Sequence, residues 1–285
     1  MYIAGRQLNY DYVMPGWATI LRNLMTTIRT AKNNNAEYKI YWERKVSKIL
    51  PRDNNNNITD FTLPAFNIFF KNNIAINYIP NDSNIISTWN LNVFEEDICE
   101  NFSKEYLHDL LNACKYEGGK YNIQKQLPDY TNMIPINIKE KYCECLNELE
   151  LNDDILNSIN NFYNNNFDET TISLIIRTWP EDKNRAKMFI LDEFTSYINK
   201  YYKKNKIFIS VDTDPNLFID LFKQKCSNNI FFYNTYDTNY IDIYKKALIN
   251  LYLASKTYVI IGSRHSNYPE FCWWLSNCKS KFIAI

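Results

Sequence analysis

Glycine is scarce in this chain, with 5 in 285 residues, and none of them falls in a Gly-X-Gly-X-X-Gly or Gly-X-X-X-X-Gly-Lys pattern. Those patterns supply the tight turn and close backbone approach of dinucleotide and P-loop phosphate sites. Kinases, P-loop ATPases and ordinary dehydrogenases are thereby set aside. Histidine is scarcer still, with only His108 and His265, too few for a His-rich metal centre. No Gly-X-Ser-X-Gly elbow marks a serine hydrolase. The seven cysteines form no Cys-X-X-Cys pair and no even disulfide framework, which points to a reduced, intracellular setting. No apolar run reaches the roughly 18 residues of a membrane span, and Met1–Tyr12 holds no apolar signal core. A soluble, cytoplasmic chain is the expectation. There is also no excess of either charge: 32 basic residues balance 32 acidic ones. Nucleic acid is therefore not an expected partner, because gripping a polyanion needs clustered Lys and Arg.

Apolar residues are plentiful, at 46%, with aromatics at 16%, so a sizeable core is available. The chain also carries 41 asparagines beside abundant Ile, Lys and Tyr, a set that AT-rich codons supply. The runs Asn33–Asn35, Asn54–Asn57 and Asn164–Asn166 read as polar loops, since Asn competes with regular backbone hydrogen bonding.

The second half has the clearer pattern. Short apolar runs at Ile172–Arg177, Ile207–Val211, Ile230–Tyr233, Thr257–Gly262 and Lys281–Ile285 read as strands. Between them Ala186–Asn205, Pro215–Cys226, Tyr240–Ser255 and Tyr268–Cys278 carry helical spacing, with Asp214 as a cap before Pro215. Such alternation implies a parallel sheet with helices on both faces. In the first half, Gly16–Lys32 reads as helix and Tyr38–Trp42 as strand, one step of another α/β layer. Phe66–Tyr78 holds two short apolar runs, and Lys104–Lys115, Lys139–Leu151 and Asp153–Tyr163 look helical. The expected division is 1–165 and 166–285, with the boundary in the 164–166 loop.

In open parallel sheets a ligand sits beyond the carboxyl ends of the strands, where strand order reverses. Three strand ends carry suggestive groups: Arg177-Thr178, Asp212-Thr213-Asp214, and Gly262-Ser263-Arg264-His265-Ser266. A strand running into glycine, small hydroxyls and a helix can hold a phosphate or diphosphate on backbone amides. Arg177, on a neighbouring strand, can add a bidentate cation. Alternatively, the turn is an ordinary strand-to-helix connection with a serine cap. Asp212-X-Asp214 also has two readings. It can hold a divalent metal against a sugar diphosphate, as in metal-dependent glycosyltransferases, or Asp214 simply caps a helix opened by Pro215.

These segments resemble the nucleotide-binding domain of the fucosyltransferase superfamily that contains nodulation and core α1,6-fucosyltransferases and protein O-fucosyltransferases. Ile172-Ser-Leu-Ile-Ile-Arg177-Thr-Trp179 is similar to the family's arginine motif, and Ser210-Val-Asp212-Thr-Asp214-Pro215 to its acidic turn. Asn250-Leu-Tyr-Leu-Ala-Ser255 through Ile261-Gly262-Ser263-Arg-His-Ser266 is similar to its closing helix, strand and Ser-rich turn. Gly16-Trp-Ala-Thr-Ile-Leu-Arg22 through Tyr41-Trp42 keeps the outline of the family's opening glycine turn, helix and strand, without the Gly-Asn pair.

The resemblance implies two Rossmann-like domains (the GT-B architecture) and inverting, metal-independent transfer, with no cofactor beyond a GDP-sugar donor, GDP-fucose favoured. It implies a glycan or other hydroxyl acceptor held against the first domain. It places Arg177, Asp214, Gly262, Ser263 and Ser266 at the donor. Asn250 stands where the family has an Asp that reads guanine. Since the family's first motif position is Ile175 here and its second arginine is Thr178, further positive charge is sought at Arg22, Arg185 and Arg264. Glu181 and Asp182 are the candidate bases beside Arg177. The competing expectations are a metal-dependent transferase using Asp212 and Asp214, and a catalytically degenerate relative that binds nucleotide sugar or glycan without turnover.

Overall fold

The computed structural model describes residues 1–4, 16–42, 45–46, 61–62, 65–86, 116–117, 120–121, 136–178, 186–187, 189–233, 240–263 and 266–285. The chain opens on a strand that its polar N-terminal stretch does not announce, β1 (Tyr2–Ala4). Ile3 and Ala4 are nonetheless fully buried, because β1 lies in the middle of a sheet. Helix α1 (Trp17–Asn33) follows, with Leu21, Leu24, Met25, Ile28 and Ala31 on its buried face. It ends at Asn34–Asn35, where Asn35 takes a left-handed φ of 48°, a conformation Asn tolerates. Then come β2 (Tyr38–Tyr41), an antiparallel pair β3 (Lys45–Val46) and β4 (Phe61–Thr62), and β5 (Ala75–Ile76) and β6 (Asn84–Ile86). The first sheet is parallel throughout, in the order β5-β2-β1-β6.

A small antiparallel pair, β7 (Tyr116–Glu117) and β8 (Lys120–Tyr121), precedes helices α2 (Ile136–Asn147) and α3 (Asp153–Asn166). Here two expectations are corrected. The helix expected at Lys139–Leu151 starts and stops earlier, and Leu151 instead bridges to Phe70. Asn164–Asn166 is the last turn of α3, not a loop. Asn166 donates from Nδ2 to the Phe162 carbonyl, and Phe162 and Tyr163 anchor the turn against Phe167. The expected division near residue 165 therefore falls at a helix end. The helix expected at Lys104–Lys115 lies outside the described residues.

The second sheet follows the expected alternation: β9 (Ile172–Ile176), α4 (Leu191–Tyr201), β10 (Ile207–Val211), α5 (Pro215–Lys223), β11 (Ile230–Phe231), α6 (Tyr240–Ser255), β12 (Val259–Gly262), α7 (Asn267–Leu275) and β13 (Lys281–Ala284). All pairings are parallel and the order is β11-β10-β9-β12-β13. Numbered within the sheet, that is 3-2-1-4-5, the doubly wound arrangement whose order reverses between β9 and β12. Helix α4 starts later than expected, since Ile190 is extended and the acidic pair Asp192, Glu193 fills the first turn.

Every residue of β9 is buried because both sheet faces are covered. Ile172, Leu174 and Ile176 meet Phe194 and Ile198 of α4 and Phe218 and Phe222 of α5 on one face. Ile175, Phe208 and Phe282 face α6 and α7 on the other, in a core that runs on into α1, α2 and the first sheet. Helix α1 thus lies between its own sheet and α7. No helix among the described residues is long and apolar enough to cross a membrane.

Candidate functional site

The reversal between β9 and β12 brings two of the three strand-end groups into contact, and the third closes on them from β10. The ladder runs one step past the strands: the Ser263 amide donates to the Ile175 carbonyl at 3.0 Å, and the Arg177 amide donates to Ser263 Oγ at 2.9 Å. Ser263 is buried, so its first job is to fix where β9 releases Arg177. From the other side Asp212, just past β10, accepts from Thr178 through Oδ1, from the amide at 2.8 Å and from the hydroxyl at 2.8 Å. Its Oδ2 lies 3.4 Å from Arg177 Nε. The Arg177 side chain is one-third exposed. A guanidinium anchored through its inner nitrogen suits bidentate recognition of phosphate oxygens.

The two acids of the Asp-X-Asp stretch work separately. Asp214 caps α5, accepting from the Asn216 amide at 2.9 Å and from its side-chain amide at 3.1 Å. Asp212 serves Arg177 and Thr178. No group of three or more His, Cys, Asp or Glu side chains suited to a metal occurs among the described residues. The local geometry favours the capping reading of Asp214.

Gly262 is required by packing. A Cβ there would stand 2.2 Å from Pro269 Cβ and 2.6 Å from its Cγ. Only glycine lets the first turn of α7 settle directly on the end of β12. Ser266 caps that helix, its hydroxyl accepting from the Tyr268 amide at 3.3 Å. The result is a helix N-terminus, a favourable place for an anion, beside the Arg177 strand end.

Helix α6 packs on β9, β10 and α7. Asn250 is 9% exposed, and its Oδ1 is buried without a hydrogen-bond partner. An unmet buried acceptor is costly unless something fills it. One turn earlier, burial lowers the Lys246 pKa while the neighbouring Asp214 opposes that shift. Tyr268 ties α7 to α6 by donating to the Ala247 carbonyl, and its hydroxyl is also bonded to Ser210 at the end of β10. Burial pushes the Tyr268 phenol well above its ordinary value, so it stays protonated.

Sequence reasoning passed over Lys246 and Tyr268, and did not foresee the bonds that Asp212 makes to Arg177 and Thr178. The spacing of Lys246 to Asn250, four residues on one helix, was the available signal.

Arg22 is held by the first turn of α7. Its guanidinium is engaged by Glu270, 3.4 Å away, in a pair whose side chains are 8% and 3% exposed, linking α1 to α7. Trp274 Nε1 donates to the other Glu270 oxygen at 3.2 Å. Burial raises the Glu270 pKa, with Arg22 and Trp274 pulling it back. Arg22 therefore joins α1 to α7. Glu181, Asp182, Arg185, Arg264, His108 and His265 lie outside the described residues.

No protein-family model matches the chain, and no curated protein matches it by sequence. Solved structures do. The fucosyltransferase NodZ from Bradyrhizobium is 16% identical with a TM-score of 0.50, over 95% of this chain and 91% of that one. NodZ alpha-1,6-fucosyltransferase soaked with GDP-fucose is 16% identical with a TM-score of 0.51, over 96% and 91%. The same protein co-crystallized with GDP gives 16% and 0.51, over 95% and 90%. The chain has the two-sheet α/β fold of these fucosyltransferase structures.

Proposed function

We propose that this protein is a glycosyltransferase that moves a sugar, with GDP-fucose as the favoured donor, onto a glycan or other hydroxyl acceptor. The observation that carries the reading is the partly exposed Arg177, its guanidinium against Asp212 and its amide on Ser263, beside the first turn of α7. It sits at the strand-order reversal where such sheets take their ligands. The solved structures of the same fold include one soaked with GDP-fucose and one co-crystallized with GDP, which supports the choice of donor.

In this reading the diphosphate lies between Arg177 and the amides at the start of α7, near Ser263 and Ser266. Negative charge grows on the leaving diphosphate as the glycosidic bond breaks, and donors fixed in advance stabilise it. No metal is assigned to that role. The nucleobase lies against α6, where the unmet Asn250 acceptor takes a ring or amino N–H. The acceptor hydroxyl enters from the side of residues 1–165, with 166–285 as the donor domain, and attacks opposite the leaving group, inverting the anomeric carbon. Glu181 or Asp182 takes its proton.

The test is to incubate the protein with GDP-fucose and other nucleotide sugars, with and without EDTA, and to measure released nucleoside diphosphate in the presence of glycan acceptors. Release from GDP-fucose that survives EDTA supports the reading. Release abolished by EDTA favours metal-dependent transfer. Binding without release identifies a degenerate, nucleotide-sugar-binding relative.

A further inference from the structure

Five cysteines lie among the described residues, all as free thiols, and the proposed transfer uses none of them. Two of them meet. Cys143 is buried on α2, and Cys278 is half-buried in the turn that follows α7. Their sulfurs are 3.6 Å apart, one S–H donating to the other, although 135 residues separate them in sequence. Cys143 Sγ also reaches the Trp274 carbonyl at 3.8 Å. The turn is unusual in carrying two successive non-glycine residues at positive φ, Asn277 at 53° and Cys278 at 58°.

The other thiols differ in kind. Burial pushes the Cys145 thiol up to about 11 and raises Cys226 and Cys272 as well. The contact between the other two sulfurs lowers Cys143, which the Lys139 ammonium one turn earlier on α2 also favours as thiolate, and together with burial it raises Cys278. A thiolate, not a thiol, carries out disulfide exchange.

We propose that Cys143 and Cys278 form a redox-responsive pair, closed into an intramolecular disulfide by a low-molecular-weight disulfide such as oxidised glutathione. Cys278, the more exposed sulfur, passes its proton across the 3.6 Å contact to the Cys143 thiolate, attacks one sulfur of the small disulfide and expels the other half as a thiolate. Cys143, after giving that proton to the expelled thiolate, attacks Cys278 Sγ in the mixed disulfide and expels the second thiolate. The two protein thiols lose two electrons and two protons, and the small disulfide is reduced to two thiols. Closing the contact to a bonded distance of about 2.05 Å is taken up in the 277–278 turn. The bridge ties α2 to the end of α7, the helix that Ser266 caps. The proposal does not depend on the transferase reading.

The test is peptide mapping of the intact protein after incubation in a glutathione redox buffer and quenching by alkylation. The expected product is one cross-linked peptide pair holding Cys143 and Cys278, two hydrogens lighter than the reduced pair and reversed by dithiothreitol. Its appearance should raise the melting midpoint. Cys143→Ser should stall with one glutathione on Cys278, and Cys278→Ser, at a half-exposed turn that tolerates the change, should form no bridge. A stable glutathione adduct on Cys278 in the unmodified sequence, a bridge between other cysteines, or unreacted thiols at both positions overturns the proposal. The mapping of the unmodified protein decides this without either variant.

Discussion

The two sheets use the same unit, a parallel strand followed by a crossover, yet they bury themselves differently. In the second sheet β9 and β12 are buried along their whole length, with helices on both faces. In the first, β1 buries Ile3 and Ala4, but β2 buries only Ile40, and Ile85 of β6 is exposed. A strand covered on both faces must be apolar until it emerges, so its polar residues gather at the edge. That is why Arg177, Asp212 and Ser263 meet at one place in the second half. The first half contributes a brace: α1 packs on its own sheet with one side and on α7 with the other.

The brace is expected to be the most sensitive element. Arg22→Met leaves Glu270 buried and unpaired, and should cost about 3–5 kcal/mol, a melting loss on the order of 10 °C. The pH dependence sharpens the point. Glu270 has its folded pKa raised above 4.5, so it contributes stability at low pH that is lost as pH rises through the folded value. Removing Arg22, which lowers that pKa, should widen the window and make stability fall more steeply upward from pH 4.5. A flat profile in calorimetric melts across that range contradicts the pairing.

Two glycines compare the halves next. Gly262→Ala forces a methyl into the Pro269 ring and should cost about 2 kcal/mol or more. Gly16→Ala, at the exposed start of α1 with nothing within 4 Å, should cost about 1 kcal/mol or less. Equal losses in denaturant melts would show that α7 does not seat on β12 as described.

Ligand binding separates the halves by function. Arg177→Ala should keep the fold and weaken GDP binding by about 1.5–3 kcal/mol, the worth of a charge-assisted contact. Lys71→Ala, an exposed partner of Asp153 in the first half, should leave it unchanged. Titration calorimetry on both variants checks this. The smallest effect concerns the base. Asn250→Asp should strengthen GDP relative to UDP by about 1–2 kcal/mol, because a carboxylate pairs with guanine's adjacent N–H donors more strongly than a neutral amide does. An unchanged ratio in competition titrations removes Asn250 from the base site.

Much of the second half was legible because buried parallel strands are short, apolar and sharply ended. The strand Ile207–Val211 and the helix Tyr240–Ser255 match the pattern residue for residue. Of the strand ends, the emergence of Arg177, the Gly-Ser turn into a helix and the Asp214 cap were legible. What Asp212 and Ser263 do was not, since both act through long-range bonds to residues 177–178 that no local spacing encodes. The same holds for Arg22, whose partner is 248 residues away. In the first half β1 escaped notice because three residues carry no periodicity, and Asn164–Asn166 because tertiary aromatic packing overrides the poor helix propensity of Asn.

Amide hydrogen exchange with and without GDP tests the central claim most directly, because it reports where the nucleotide sits. Protection should rise at residues 177–178, at 212–216, along 246–250 and at 262–268, with β1 and β2 unchanged. Protection confined to the first sheet, or no change anywhere at saturating GDP, would contradict a nucleotide site at the β9–β12 reversal.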